Sequence, residues 1–246
     1  MRIDESKCIG CGRCLPYCTV GAISLANGKA VIDDDECVEC GECQKAGVCP
    51  VNAHIRPEWT APSTTQMPEE VPRVLRYWWS DPQGVFPWTG IGGRGTQEMK
   101  TNDVTGRFTD DDVGIGVEFG RPGIGSRLSE VEKASVRLAA LGVNFEPDNP
   151  WTHIIDPKTG RLRDPRFGRE KVLSCIIECK APMEKVVQVY NTLMEVAKEI
   201  ETVFTLDIIS KCKEGKILAK PILDEAGIKV RINGKTNLGL GRPLIP

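Results

Sequence analysis

Eight of the chain's eleven cysteines fall within its first 49 residues, in two near-copies of one spacing. The first run is Cys8-x2-Cys11-x2-Cys14-x3-Cys18. The second is Cys37-x2-Cys40-x2-Cys43-x5-Cys49, followed at once by Pro50. Thiolates are soft anionic ligands, and two sets of four suit two iron–sulfur cubanes. Two such clusters side by side pass electrons one at a time. Tetrahedral zinc also takes four thiolates, but CxxC pairs suffice for it; the third cysteine at +3 in both halves argues for cubanes. Dense cysteines also occur in disulfide scaffolds, yet here the density is confined to two metal-type repeats. The expected cofactors are two [4Fe-4S] clusters.

The x2, x2 spacing lets three thiolates wrap one face of a cubane and leaves the fourth cysteine of each run better placed for the other cluster. Gly10, Gly12 and Gly41 lie between ligands, where small residues let backbone N–H groups turn toward sulfur. The two halves form an internal repeat of about 29 residues, the mark of a duplicated unit. Between them, Asn27-Gly28 separates two short apolar runs and predicts a hairpin. So short a segment buries too little apolar surface to fold without metals or cross-links.

These residues resemble a bacterial two-[4Fe-4S] ferredoxin over residues 1–54. The resemblance implies that one cluster takes Cys8, Cys11, Cys14 and Cys49, and the other Cys37, Cys40, Cys43 and Cys18. Two departures stand out. Thr19 follows Cys18 where the pattern has proline, with Pro16 inside the motif. The gap from Cys43 to Cys49 is five residues where the short pattern has three. The longer loop is expected to alter solvent access and hydrogen bonding around the first cluster.

The remaining four-fifths of the chain must position this module. Residues 55–72, rich in Pro and Thr, predict a linker or extended arm. Residues 73–112 carry Trp78, Trp79, Phe86 and Trp88 without a regular period, and aromatics so placed cover a core or a cofactor. From Val113 the pattern becomes regular. Val113–Phe119 predicts a strand. Ser129-x-x-Glu132 reads as a capping box opening a helix that stops at Gly142. Val143–Phe145 is a short strand and Lys171–Lys180 a longer one. Pro182 opens a helix with an apolar stripe from Val186 to Ile200, and Thr202–Ser210 is a last strand. The predicted fold class is α+β: an N-terminal bacterial-ferredoxin module joined to a C-terminal βαββαβ-like two-layer sandwich. The expected domains are 1–54, a linker over 55–72, and 73–246.

Other residues carry weaker signals. Cys175 and Cys179 share one face of a strand with Ile177, which predicts core thiols; their CxxxC spacing on a strand is too wide for one metal. Cys212 reads as structural. Gly90-Ile-Gly-Gly-Arg-Gly95 has the glycines of an anion cradle but lacks the Walker lysine, and Glu98, Lys100, Asn102, Asp103 and Arg107 follow it as a dense polar stretch. The two histidines, His54 and His153, sit in no metal-spaced set; His54, just past the Cys49-Pro50 corner, is placed to influence a cluster. Six bases between Lys158 and Lys171 could dock an acidic partner, including the cluster module itself.

The net charge of −2 gives no reason to expect nucleic acid. No apolar run reaches the length of a membrane span, and no leader precedes the first cysteine run, so a cytoplasmic protein is expected. No strand–GxGxxG–helix unit supports flavin or NAD. The leading expectation is an electron-transfer subunit passing single low-potential electrons to or from a redox partner protein or larger oxidoreductase complex. The stretch GIGGRGTQEMKTNDVTGRF, with VGIGVEFGRPGIGSRLS after it, is similar to 6-hydroxynicotinate reductase-like iron–sulfur proteins. That resemblance implies reduction of an aromatic or conjugated substrate, with no catalytic residue assignable. An iron–sulfur sensor with a ligand-binding α+β domain is the third expectation.

Overall fold

The computed structural model describes residues 1–60, 67–92, 94–95, 107–121 and 123–231. Within them the chain is α+β, with two separate buried clusters of side chains.

The smaller cluster belongs to the cysteine-rich segment. Strand β1 (Arg2–Ile3) opens it. The hairpin of β2 (Ile23–Ala26) and β3 (Lys29–Ile32) turns through Asn27 and Gly28, both at positive φ, as the Asn-Gly signal requires. Helix α1 (Glu42–Lys45) carries Cys43. Strand β4 (His54–Ile55) pairs antiparallel with β1 and closes the segment, so Ile55, the first residue of the expected linker, is strand. The buried interior is mostly cysteine and alanine around Ile23 and Met1, too little apolar volume to hold a fold alone.

Next comes α2 (Val74–Ser80), whose seven residues are all buried. The sequence predicts an irregular run here. A helix enclosed on every side has no polar face, so it leaves no amphipathic period to read. Its Trp78 and Trp79, with Phe86 and Trp88, form an aromatic nest: Trp78 meets Phe86 edge-on at 5.4 Å and Trp79 stacks on Phe86 at 5.9 Å. Phe86 lies on β5 (Val85–Phe86), which pairs with β6 (Ile91–Gly92).

The larger core is built on a four-stranded antiparallel sheet. Its strands are β7 (Asp112–Phe119), β9 (Asn144–Phe145), β11 (Cys175–Pro182) and β12 (Phe204–Ile209), in the order β12-β7-β11-β9. Two small strands, β8 (Ser126–Arg127) and β10 (Lys171–Val172), pair beside it. Register puts Val113, Ile115, Val117 and Phe119 directly opposite Ala181, Cys179, Ile177 and Cys175, and all eight are buried. Helices α3 (Leu128–Ala140) and α5 (Val186–Glu199) pack on each other and bury Val131, Leu138, Val189 and Leu193 in the same core. A shorter helix, α4 (Pro150–Ile154), is capped by the Asn149 side chain, which accepts from the Trp151 N–H at 2.8 Å. After a hairpin of β13 (Cys212–Lys213) and β14 (Lys216–Ile217), helix α6 (Lys220–Glu225) adds Leu223 to the core. Among the described residues no helix is long and apolar enough to cross a membrane.

Three local expectations change. Ser129 caps nothing: α3 opens at Leu128, straight from β8, and its first N–H donates to the Glu170 carbonyl. Glu132 instead accepts from the Leu162 N–H at 2.8 Å. The strand expected over Lys171–Lys180 is broken at Leu173-Ser174, because the Leu173 N–H is taken by Ser80 Oγ at 2.8 Å. Pro182 ends β11, and a 3-10 turn (Met183–Lys185) precedes the helix. The sequence around Asn233-Gly234, which predicts short β-like pieces in the tail, lies outside the described residues.

Candidate functional site

Each cysteine run folds as loops and single turns, whose backbone N–H groups remain available to sulfur. The Ala22 N–H donates to Cys18 Sγ at 3.0 Å, Ala53 N–H to Cys49 Sγ at 3.3 Å and Ala30 N–H to Cys8 Sγ at 3.4 Å. Thr19 Oγ1 lies 3.4 Å from Cys40 Sγ. The residue that replaces the pattern's proline thus contacts a sulfur of the other run. Gly10 shows why glycine stands between ligands: it sits at φ +67°, and an added Cβ would lie 2.0 Å from the Gly28 carbonyl oxygen. The first run is thereby pressed onto the β2–β3 turn.

The eight thiols sort into two cavities. The first is lined by Cys8, Cys11, Cys14 and Cys49. The second is lined by Cys18, Cys37, Cys40 and Cys43. Each cavity therefore takes three cysteines from one run and the fourth from the other. The thiols line walls; among the described residues no three Cys, His, Asp or Glu side chains converge as they would on one ion. Tetrahedral zinc would need four sulfurs about 2.3 Å from a point. A void ringed by four thiols suits a polynuclear cluster.

Electrostatics leads to the same fit. Hydrogen bonds from the Ala30 and Gly10 N–H groups lower the Cys8 pKa. Burial raises Cys14 and Cys37, and pushes Cys43 up to about 12, with like charge from Cys40, Cys37 and Cys18 adding to it. Four crowded thiolates are tenable only around a cationic centre that offsets burial and mutual repulsion. An iron–sulfur core held by these thiolates would supply that charge.

The two cavities differ in their surroundings. A seam of charge clamps the second run onto the rest of the chain. Arg76 of α2, 4% exposed, pairs with Glu170 and donates from Nη1 to the carbonyls of Cys37 at 2.7 Å, Asp34 at 2.8 Å and Asp35 at 3.3 Å. Arg73 pairs with Glu39 at 2.7 Å. Glu36 takes both Arg127 and Lys171. Of the basic run expected to dock an acidic surface, Lys171 is the member that reaches this module. Lys45 donates to the Cys40 carbonyl and to Asp81, both at 2.8 Å, and Arg56 pairs with the same buried Asp81. Lys45 lies in the longer Cys43–Cys49 gap and joins that loop to the seam.

The remaining candidates are structural or lie elsewhere. Cys175 and Cys179 are core thiols, and Cys212 is exposed. His153 stacks on Trp88 at 5.6 Å. Arg107 pairs with Glu146 and donates to Asn144 Oδ1 at 3.0 Å. An added Cβ on Gly95 would lie 2.9 Å from Glu178 Oε1, so the glycine stretch ends against a buried acid. Glu98, Lys100, Asn102 and Asp103 lie outside the described residues. Sequence reasoning missed Arg76 and Asp81, for which composition gives no signal.

Comparison with known proteins covers the same N-terminal segment. Residues 1–56 match the family model of a 4Fe-4S dicluster domain. A ferredoxin-like protein in the vnf region of Azotobacter chroococcum mcd 1 is 48% identical over 60 residues, 23% of this chain and 92% of that protein. Ferredoxin-2 of Desulfomicrobium norvegicum is 55% identical over 29 residues, 12% of this chain and 49% of that protein.

Proposed function

The chain belongs, through residues 1–56, to the ferredoxins with a 4Fe-4S dicluster domain, and from that premise we propose that it is a two-cluster electron-transfer subunit serving a partner oxidoreductase. Cys8, Cys11, Cys14 and Cys49 hold one [4Fe-4S] cluster; Cys37, Cys40, Cys43 and Cys18 hold the other. The single observation carrying this reading is the sorting of eight thiols into two four-thiol cavities by exchange of the fourth cysteine. The clusters supply one-electron chemistry at low potential. The protein supplies the thiolates, the N–H donors that tune them, and the seam that fixes the module in place.

We read residues 73–246 as a βαββαβ sandwich that serves as the mount, with 55–72 as the connection. The strand order β12-β7-β11-β9 and the pairing of α3 with α5 support that reading. The seam lies on the side of the second cavity, while Cys11 of the first cavity is exposed. Cysteines held as cluster ligands rather than in disulfides fit a reducing cytoplasm.

The test is anaerobic purification of the full chain with iron and sulfide analysis, then EPR of the reduced protein and stopped-flow oxidation by an acceptor protein. About eight irons per chain and two reducible clusters are the expected result. Protein carrying only zinc, or no reducible signal, overturns it.

A second reading is a cluster-fed reductase. The buried acids Glu146 and Glu178 beside Asn149 and Arg107 favour it, since they make a polar interior away from both cavities. Oxidation of the reduced protein by conjugated or aromatic compounds alone would select this reading over a pure carrier.

A further inference from the structure

The two cavities are not chemically equivalent. The wall of the first includes His54, on the closing strand opposite Ile3. Its side chain is buried, 8% exposed, and its Nε2 atom is enclosed with no hydrogen-bond partner. The rest of that wall is Ile3, Ile9, Gly12, Ala30, Val51 and Ala53 with the four cysteines, so its only other polar side chains are thiols. No histidine lines the second cavity.

A buried donor without a partner is costly, and native structures rarely leave one. A neutral imidazole carries its proton on one of two nitrogens, and an acceptor chooses which. A cluster sulfide or a metal-bound thiolate can only accept. Building on the two-cluster reading above, we propose that His54 donates an Nε2–H hydrogen bond to a sulfur of the cluster in the first cavity, raising that cluster's potential above its partner's. Hydrogen bonds to cluster sulfurs stabilise the reduced, more negative state. His54 is a positioning and tuning residue; the iron is held without it.

The test uses the full chain, purified anaerobically. Redox titration by EPR resolves two potentials in the native protein. In His54→Phe, which keeps a ring and removes the donor, one potential moves negative and the other stays; His54→Gln, which keeps an N–H, recovers part of the shift. Two unchanged potentials, or equal shifts of both, overturn the proposal. Should His54→Phe lose a cluster, the native residue is read directly. The chain has two histidines, His54 and His153. In 15N-histidine-labelled His153→Gln protein, pulsed EPR of the reduced clusters then detects nitrogen coupling from His54 alone. Absence of that coupling overturns the proposal. Absence of any reducible cluster instead defeats the two-cluster reading itself, and iron analysis separates the two failures.

Discussion

Arg76 donates to the carbonyl oxygen of Cys37 at 2.7 Å, across 39 residues of sequence and across the boundary between the two buried cores. A buried guanidinium is thereby spent on the backbone of a cluster loop, with Glu170 balancing its charge. Removing one partner of such a pair strands the other. Arg76→Met should cost about 3–5 kcal/mol of stability and release iron faster under mild denaturant. Arg76→Met combined with Glu170→Gln should recover part of that loss. Denaturant titration followed by cluster absorbance measures both, and an Arg76→Met variant as stable as the native protein refutes the role of the seam.

Exchange of the fourth cysteine has a direct test. Cys18→Ala should abolish the cluster of the second run, and Cys49→Ala that of the first, each leaving the other EPR signal in place. If Cys18→Ala instead removes the signal that Cys8→Ala removes, the sorting of thiols is wrong.

Gly10 and Gly28 make a matched pair. Both sit at positive φ, but a Cβ on Gly10 meets the Gly28 carbonyl at 2.0 Å whereas one on Gly28 meets nothing within 4 Å. Gly28→Ala should therefore cost only the backbone strain, about 1–3 kcal/mol. Gly10→Ala should cost more and lower the iron content of purified protein. Equal iron content and equal stability in the two variants would contradict this packing.

The three remaining thiols should divide by burial. Burial pushes the Cys179 pKa up to about 12 and raises Cys175 further, whereas Cys212 is exposed. At pH 8 the two core thiols are protonated and out of reach. Alkylation of native anaerobic protein should label Cys212 and spare Cys175 and Cys179 until denaturation, as read by peptide mass spectrometry. Rapid labelling of Cys175 in the folded protein would refute the assigned register of β11.

His153 adds a pH dependence. Burial lowers its pKa, Asp148 opposes that and Arg163 adds to it. The unfolded chain then binds a proton that the folded chain resists. The sign follows: this contribution to stability is present above the unfolded value of about 6.5 and declines as pH falls toward the lowered folded value. Between pH 7.5 and 6, His153→Gln should flatten the loss of unfolding midpoint. A steeper loss in the variant would reverse the sign and refute the assignment.

How much of this was legible from residues alone depends on range. The cysteine runs were, because cluster spacing is a local rule. So was the Asn27-Gly28 turn, fixed by positive φ, and so were β7 and α5, whose apolar periods are long. Helix α2 was hidden because enclosure erases the polar face that marks a helix. The false cap at Ser129 arose because β8 runs into α3 and the Glu170 carbonyl takes the first N–H. Arg76, Asp81 and Glu36 act over dozens of residues, and such contacts leave no trace in spacing. His54 was noticed for its place after Cys49-Pro50, but its position in the cavity wall depends on β4 pairing with β1.

For protein engineering, the charge seam redefines the transplantable unit. A graft of residues 1–56 alone would carry Asp34, Glu36 and Glu39 into a new host without Arg73, Arg76, Arg127 and Lys171. It would leave Asp34 and Glu36 without these bases, Glu39 with the Met1 amine alone, and the loop at Cys37 unclamped. A portable version needs either those four bases rebuilt on the recipient surface or the acids neutralised in the insert.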